Sequence, residues 1–241
     1  MCTATYFPFA ETNAFALTHS RDEKAVRSVA HLPRPMPING QTVLFPQDPQ
    51  GQGTWIAATA DQTICLLNGA FVAHQPQYPY KHSRGIVVLD FFEYANPGAF
   101  ADWYDFRNLE PFTLLVAGRG RLVEIRWNGK HVFFYEKDPK RPHIWSSVTL
   151  YAPCVMEKRE GWFRDWWHNN PEPSVADIRG FHLHAGDDDP TNSIRMNRAD
   201  KLFTVSLTST VHDANGTTMI YDDFTQPASV QTLNAPDYAT A

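Results

Sequence analysis

The chain has 241 residues, with 21 Lys and Arg against 26 Asp and Glu, which gives a formal net charge of −5 with histidine neutral. Binding a phosphate backbone needs clustered cations, and the sequence has no basic block, so we expect no nucleic-acid partner. Seven Trp and sixteen Phe raise the aromatic share to 13%, which favours a thick core that contains β-sheets.

The first third of the chain is predicted to be rich in β-strands. Strands are expected at residues 3–9, 14–18, 42–45, 54–59 and 63–67, and the proline-containing residues 32–41 are expected to form a loop. The first two strands should form a hairpin, with Ser20-Arg21-Asp22-Glu23 just after the second strand. Antiparallel pairing would place Cys2 and Arg21 at the same end of that hairpin.

The rest of the chain alternates helical and strand patterns. Helices are expected at residues 89–106 (with an interruption near Pro97), 153–168 and 173–184, and strands at 112–117, 122–127, 132–136, 201–212 and 217–221. The tail from residue 225 is expected to be loosely ordered. With no repeat or linker, the sequence predicts one domain over residues 1–241, of α+β class, in which helices cover antiparallel sheets.

The cysteines and the apolar pattern indicate the compartment. Cys2, Cys65 and Cys154 are odd in number and lack CxxC spacing, so we expect neither a disulfide framework nor a structural zinc site. Residues 1–15 lack the basic and apolar regions of a secretory signal, and no apolar run reaches 18 residues. These patterns predict a cytoplasmic protein without a transmembrane helix, and no cofactor is expected.

The second residue is a candidate nucleophile. Removal of Met1 would leave Cys2 with a thiol and a free α-amine on the same residue. The amine has a reference pKa of about 7.7–8.0 and the thiol one of about 8.5, so the amine can act as base for the thiol. The alternative is that Cys2 is a small buried hydrophobic residue, as most cysteines are.

Four short motifs occur in order along the first seventy residues. They are Met1-Cys2-Thr3, Ser20-Arg21-Asp22-Glu23, Gly53-Thr54-Trp55-Ile56-Ala57 and Leu66-Leu67-Asn68-Gly69. In this order they resemble the NRDE family, also called the transport and Golgi organisation protein 2 family. The resemblance continues more weakly to residues 204–213. It implies an N-terminal nucleophile (Ntn) hydrolase-like fold, a four-layer αββα sandwich with two antiparallel sheets between helices.

The resemblance also implies a role for each motif residue. Cys2 would attack a carbonyl carbon, with Arg21 beside its sulfur, and Asp22 would orient the terminal amine or Arg21. Asn68 would donate a side-chain N–H to the developing oxyanion. The alternative is that Arg21 and Asp22 form an ion pair in a loop and that Asn68 only completes a turn.

The chain departs from the family pattern at two places. Ser20 stands where the family usually has Asn, and Trp145-Ser146-Ser147 stands where many members carry an asparagine. Ser147 and Trp145 are therefore the candidate substrate-binding residues, although a serine hydroxyl has a shorter reach than an asparagine amide.

Two functions are consistent with this resemblance. The first is hydrolysis of a linear amide or related acyl bond of a small molecule through a thioester on Cys2. The second is non-catalytic binding or trafficking of a hydrophobic ligand such as haem or lipid on the same scaffold. The pattern does not indicate an oligomeric state.

Two later clusters have competing interpretations. His182 and His184, followed by the Asp run at 187–189, could supply metal ligands. Histidine is also favoured at a helix end, and an Asp run before a proline is typical of a solvated loop, so we assign no metal site. The aromatic residues at 162–167 could line a ligand groove or form the core-facing side of a helix.

Overall fold

A computed structural model describes residues 2–11, 13–226 and 229–235 of the chain. These residues form two seven-stranded antiparallel sheets with helices on their outer faces. The expected α+β class and the four-layer αββα sandwich are confirmed. No helix within these ranges is long and apolar enough to cross a membrane.

The secondary structure follows the chain with few long interruptions. The strands are β1 (Cys2–Pro8), β2 (Phe15–Lys24), β3 (His31–Ile38), β4 (Gln41–Gln47), β5 (Ile56–Ala58), β6 (Gln62–Asn68), β7 (Phe112–Gly118), β8 (Arg121–Trp127), β9 (Val132–Lys137), β10 (His143–Ser146), β11 (Asn197–Arg198), β12 (Leu202–Asp213), β13 (Gly216–Asp223) and β14 (Ser229–Asn234). The helices are α1 (Arg84–Asp90), α2 (Pro97–Trp103), α3 (Pro153–Asn169) and α4 (Val175–His184), with a 3₁₀ turn at Phe91–Glu93.

The two sheets have different strand orders. The first sheet runs β10-β1-β2-β12-β13-β14, with β11 paired to β12, so the first hairpin lies at its centre beside a late strand. The second sheet runs from β3 to β9 in chain order, as a meander. Strands from the beginning and the end of the chain therefore meet in the first sheet, which carries Cys2.

The hydrophobic core lies in three layers. Between the sheets, Cys2, Leu17 and Cys65 pack with other buried side chains of both sheets. Outside the second sheet, a larger cluster joins its strands to α1 and α2, with Phe91 and Phe100 fully buried. Outside the first sheet, smaller clusters join β1 and β2 to α3 and α4.

The helix boundaries follow from capping groups. Asn96 accepts a hydrogen bond from the main chain at the start of α2, and Pro97 occupies the first helical position, where no N–H is needed. Ser174 and Asp177 form a capping box at the start of α4. Those signals place both helices close to the positions expected from the sequence.

Several elements differ from the sequence predictions, including β11 and α1, which were not predicted at their positions. The expected loop at residues 32–41 is largely strand β3, which lies at the edge of the second sheet. The segment Ser20-Arg21-Asp22-Glu23 lies within β2 and not after it. β10 was not predicted, and it pairs with β1. The loose tail expected from residue 225 is instead strand β14 at residues 229–234, and residues 227–228 and 236–241 lie outside the described ranges.

Candidate active site

Cys2 and Arg21 are direct cross-strand partners in the first sheet. The antiparallel register of β1 and β2 pairs Cys2 with Arg21 at the open end of the hairpin. Cross-strand partners project to the same face of a sheet, so both side chains face the second sheet. The sequence prediction that these two residues meet is confirmed.

Cys2 lies in the wall of a large cleft between the sheet ends and α1. The cleft has a volume of about 1060 Å³. Both Arg21 and Asn68 also line it, so three of the four predicted catalytic residues border one space. Its other walls include the aromatic residues Trp55, Tyr78 and Tyr80 and the charged residues Glu23, Lys24, Arg27, Asp48, Arg84 and Glu110.

Arg21 is held in place by an aromatic ring and a carboxylate. Its guanidinium lies 4.2 Å from the centre of the Trp55 ring, and its Nη2 donates to Asp48 Oδ2 at 3.3 Å. Glu23 lies further away, at 3.8 Å. Only 6% of Arg21 is exposed, so the positive charge of the residue that pairs with Cys2 is held in a largely dry setting.

Asp48 also binds a second arginine of the cleft. Arg27 donates to Asp48 Oδ2 from both Nε (3.1 Å) and Nη2 (2.6 Å), while the main-chain N–H of Gly51 donates to Oδ1 at 3.3 Å. Although burial acts to raise it, the bonds from Arg27 and Gly51 hold the pKa of Asp48 below its ordinary value. The carboxylate is therefore charged at neutral pH and is shared by two guanidinium groups.

Asp22 lies on the opposite face of β2 from Arg21. Adjacent residues of a strand point to opposite sides, which places Asp22 on the helix side of the sheet. Its carboxylate accepts hydrogen bonds from Tyr151 Oη at 2.5 Å and Thr204 Oγ1 at 2.7 Å. The expected alternatives of an Asp22–Arg21 contact or a loop ion pair are wrong, because the two residues sit on different faces of a strand.

A fully buried arginine stands behind Asp22. The Arg159 guanidinium lies 3.5 Å from the centre of the Tyr151 ring, and it donates to the main-chain oxygens of Asn192 and Ser193 and to Thr3 Oγ1. Burial raises the pKa of Asp22, and the charge of Arg159 opposes that rise, as do the hydrogen bonds from Thr204 and Tyr151.

The Cys2 thiol is buried, and its protonation reflects that position. Burial raises the pKa of the Cys2 thiol, and so does the charge of Asp22, while the main-chain N–H of Asp22 acts in the opposite direction. The resting group at neutral pH is thus a thiol that needs a base to become a nucleophile. The orientation of the terminal amine by Asp22 depends on the amino terminus, and Met1 lies outside the described residues.

Asn68 ends β6 with its side chain in the cleft. The main-chain oxygen of Asn68 accepts a hydrogen bond from Ser147 Oγ at 2.8 Å, and the Ser147 main-chain N–H donates to the Cys2 carbonyl at 2.9 Å. Within the described residues, the Asn68 amide forms no hydrogen bond, so its N–H groups are available to a ligand. Ser147 therefore links the two strands that carry Cys2 and Asn68.

The structure corrects the two candidate substrate-binding residues. Trp145 is 8% exposed, belongs to the core between the sheets and donates from Nε1 to Glu124 at 2.5 Å. The hydroxyl of Ser147 is occupied by Asn68 and by Thr149 Oγ1 at 3.0 Å. Neither residue lines the cleft, because β10 pairs with β1 and turns both side chains into the packed interior.

Two glycines allow the floor of the cleft to close. A Cβ on Gly53 would lie 2.1 Å from the carbonyl carbon of Gly85, and one on Gly51 would lie 2.9 Å from Ser83 Oγ and 3.3 Å from Arg27 Nη2. Only residues without a side chain permit this approach of the loop to the start of α1. The close packing fixes Trp55, and through it Arg21.

The other predicted clusters serve the fold. His182 hydrogen-bonds Thr5 Oγ1 at 2.8 Å and Ser20 Oγ at 2.7 Å, which occupies both ring nitrogens. The described residues contain no group of three metal-ligating side chains in position to hold an ion. Of the aromatic residues at 162–167, Phe163 and Trp166 pack against α4, so the core-facing interpretation applies to them. Of the two other cysteines, Cys65 is buried and Cys154 is exposed.

Comparisons with known proteins give one matching family and similar solved structures. Residues 1–158 match the model of a family described as Transport and Golgi organisation 2. Penicillin V acylase from Agrobacterium tumefaciens is similar in structure, with a TM-score of 0.59 and 11% identity, over 97% of this chain and 86% of that chain. A variant of conjugated bile acid hydrolase from Clostridium perfringens gives a TM-score of 0.54 at 8% identity, over 97% and 92%. No curated protein sequence matches the chain. At these identities the structural likeness shows an Ntn-hydrolase fold and no particular activity.

Proposed function

The chain belongs to the Transport and Golgi organisation 2 family, and we propose that it is an amidohydrolase that uses Cys2 as an amino-terminal nucleophile. The observation that carries this proposal is the placement of Cys2, Arg21 and Asn68 around one cleft of about 1060 Å³. A small-molecule amide, or a related acyl compound, is the proposed substrate. Removal of Met1 is part of the proposal, because the mechanism needs a free α-amine on Cys2.

The first half of the reaction forms a thioester. As the Cys2 sulfur attacks the carbonyl carbon, the thiol proton passes to the α-amine of the same residue. The negative charge that develops on the carbonyl oxygen would be stabilised by the free side-chain N–H of Asn68. When the C–N bond breaks, the resulting ammonium group returns its proton to the leaving amine.

The second half of the reaction releases the acid. Water attacks the thioester carbonyl and gives a proton to the α-amine, and the C–S bond then breaks as that proton returns to sulfur. Arg21 favours the thiolate at both stages because its positive charge is fixed beside Cys2 by Trp55 and Asp48. The buried Asp22 would hold the α-amine in the orientation that both proton transfers require.

Two measurements test this proposal. Intact mass before and after brief exposure to a thiol-reactive probe should show loss of Met1 and rapid labelling at Cys2, with the exposed Cys154 as the internal reference. On any amide that turns over, Cys2→Ala should abolish hydrolysis and leave thermal unfolding nearly unchanged, whereas Cys154→Ser should keep full activity. Retention of Met1, or full activity in Cys2→Ala, would refute the mechanism.

The second candidate function is binding of a hydrophobic ligand without turnover. The aromatic side chains of Trp55, Tyr78 and Tyr80 in the cleft wall favour it, because aromatic side chains commonly line ligand pockets. Haem or a lipid should then give a saturable thermal shift that persists in Cys2→Ala. A ligand at 100 times its Kd should add about 2.7 kcal/mol to the free energy of unfolding. Absence of any shift with either ligand would count against this function.

A further inference from the structure

The charges that line the cleft are unlike those of the whole chain. Four cations, Arg21, Lys24, Arg27 and Arg84, face three carboxylates, Glu23, Asp48 and Glu110, which leaves an excess of one positive charge with histidine neutral. The chain as a whole has a net charge of −5. Because of this excess, the cleft should attract a negatively charged ligand more strongly than the rest of the surface does.

The excess arises around Arg21, the cross-strand partner of Cys2. Arg84 is paired with Glu110, at 3.1 Å, and it also donates to the Pro111 main-chain oxygen at 3.2 Å. Arg21 and Arg27, in contrast, share the single oxygen Oδ2 of Asp48, and the only other carboxylate near them among the described residues is Glu23, 3.8 Å from Arg21. Lys24, also in the cleft wall, is exposed, and no carboxylate lies within ion-pair distance of it among the described residues.

The two arginines also retain unused donors. A guanidinium carries five N–H groups, yet within the described ranges Arg21 donates only from Nη2, and Arg27 only from Nε and Nη2. The other oxygen of Asp48 is already occupied by the main-chain N–H groups of Gln50 and Gly51. Asp48 thus has little capacity left, and a further acceptor would have to come from a ligand.

We propose that the ligand of this cleft carries a carboxylate, or an equivalent planar anion, which binds the free N–H groups of Arg27 and Arg21 beside Cys2. The geometry matches that chemistry because a carboxylate can accept from a guanidinium in a bidentate manner. One consequence rests on the proposed function: the substrates would be amides that bear an acidic group near the scissile bond. Gly51 leaves room for Arg27, because a Cβ at that position would lie 3.3 Å from Arg27 Nη2.

A pair of alkylating probes tests the inference at Cys2 itself. Iodoacetate and iodoacetamide have nearly the same shape, and only the first is an anion. At each cysteine, the rate with iodoacetate is divided by the rate with iodoacetamide. This ratio should be at least about ten times larger at Cys2 than at the exposed Cys154, as expected for a cleft that attracts anions. Arg27→Gln should remove most of this preference, and Arg164→Gln, on the exposed side of α3, should leave it unchanged.

A binding measurement keeps the inference testable when Cys2 is inert. In Cys2→Ala, benzoate should bind at least tenfold more tightly than benzamide, and Arg27→Gln in that background should bring the two affinities together. Inert Cys2 with preferential binding of benzoate would refute the hydrolase and retain the anion site. Equal affinities, or equal rates with both alkylating probes, would overturn the anion site whatever Cys2 does.

Discussion

Tyr151→Phe tests whether the buried Asp22 is a charged group held by its neighbours. The change removes one hydroxyl and leaves the ring, so the stacking with Arg159 stays while the bond of 2.5 Å to Asp22 is lost. A hydrogen bond to a charged group contributes about 1.5–3 kcal/mol, and one to a neutral group about 0.5–1.5 kcal/mol. The loss of stability should therefore depend on the charge of Asp22.

The sign of the pH dependence follows from the pKa of Asp22. Burial raises the pKa of this carboxyl above its value in the unfolded chain, so the folded protein binds the proton more readily. Loss of the Tyr151 hydroxyl raises the pKa of Asp22 further, since one bond that favours the charged form is gone. The cost of Tyr151→Phe should thus be about 1 kcal/mol at pH 4 and about 1.5–3 kcal/mol at pH 7.

Urea unfolding of the wild type and of Tyr151→Phe at pH 4 and pH 7 measures this difference. Tyr104→Phe is the matched control, because Tyr104 Oη donates at 2.7 Å to Asp90, a carboxylate that is partly exposed. Water can replace that hydroxyl, so the control should lose less than about 1 kcal/mol at both pH values. An equal loss at pH 4 and pH 7 in Tyr151→Phe would refute the idea that Asp22 is charged in the folded protein.

Three further predictions concern other residues. Asn68→Ala should lower kcat on a genuine substrate about 10²–10³-fold, which corresponds to about 2.7–4 kcal/mol, with little change in thermal unfolding; unchanged kcat would exclude Asn68 from the oxyanion site. Gly53→Ala should destabilise by about 1–3 kcal/mol because its Cβ would overlap Gly85, whereas Gly180→Ala in α4, with open space around it, should stabilise by about 0.5–1 kcal/mol. His19 is fully buried, and burial holds its pKa well below the ordinary value, so its unfolded form gains a proton as the pH falls below about 6.5. The wild type should therefore lose about 2 kcal/mol of unfolding free energy between pH 8 and pH 5, and His19→Leu should remove this loss. The same pH dependence of urea unfolding in both proteins would contradict this prediction.

The sequence predicts the contact of Cys2 with Arg21 because that contact is local. Both residues belong to one hairpin with a short turn, and the alternating pattern of the two strands sets the register. The prediction that Asn68 lies at the site comes from the family resemblance and not from a local pattern. No local pattern indicates that Asp48 and Trp55 hold Arg21, since those contacts join the two sheets and depend on how the sheets stack.

The proline-containing strand shows where composition misleads. β3 contains Pro33, Pro35 and Pro37, spaced two apart, and proline is usually read as a breaker of strands. Alternate residues of an antiparallel pair direct their main-chain N–H groups to the same side. In the regular part of the pairing, Pro35 and Pro37 therefore lack an N–H on the same edge, while Arg34 and Met36 remain free to pair with β4; Pro33 lies at a register shift between His31 and Arg34. An edge strand tolerates this arrangement, and the missing donors also discourage pairing with another chain.

The position of Ser20-Arg21-Asp22-Glu23 inside β2, and not in a loop, divides the candidate site into two sides. A loop would have allowed Arg21 and Asp22 to pair, but in a strand they point in opposite directions, one into the cleft and one into the layer of α3 and α4. Each then acquires its own partners, Asp48 and Trp55 for Arg21, and Tyr151 with Thr204 for Asp22. A change on the helix side can thus alter Cys2 without touching the cleft, because the charge of the Asp22 carboxylate raises the pKa of the thiol.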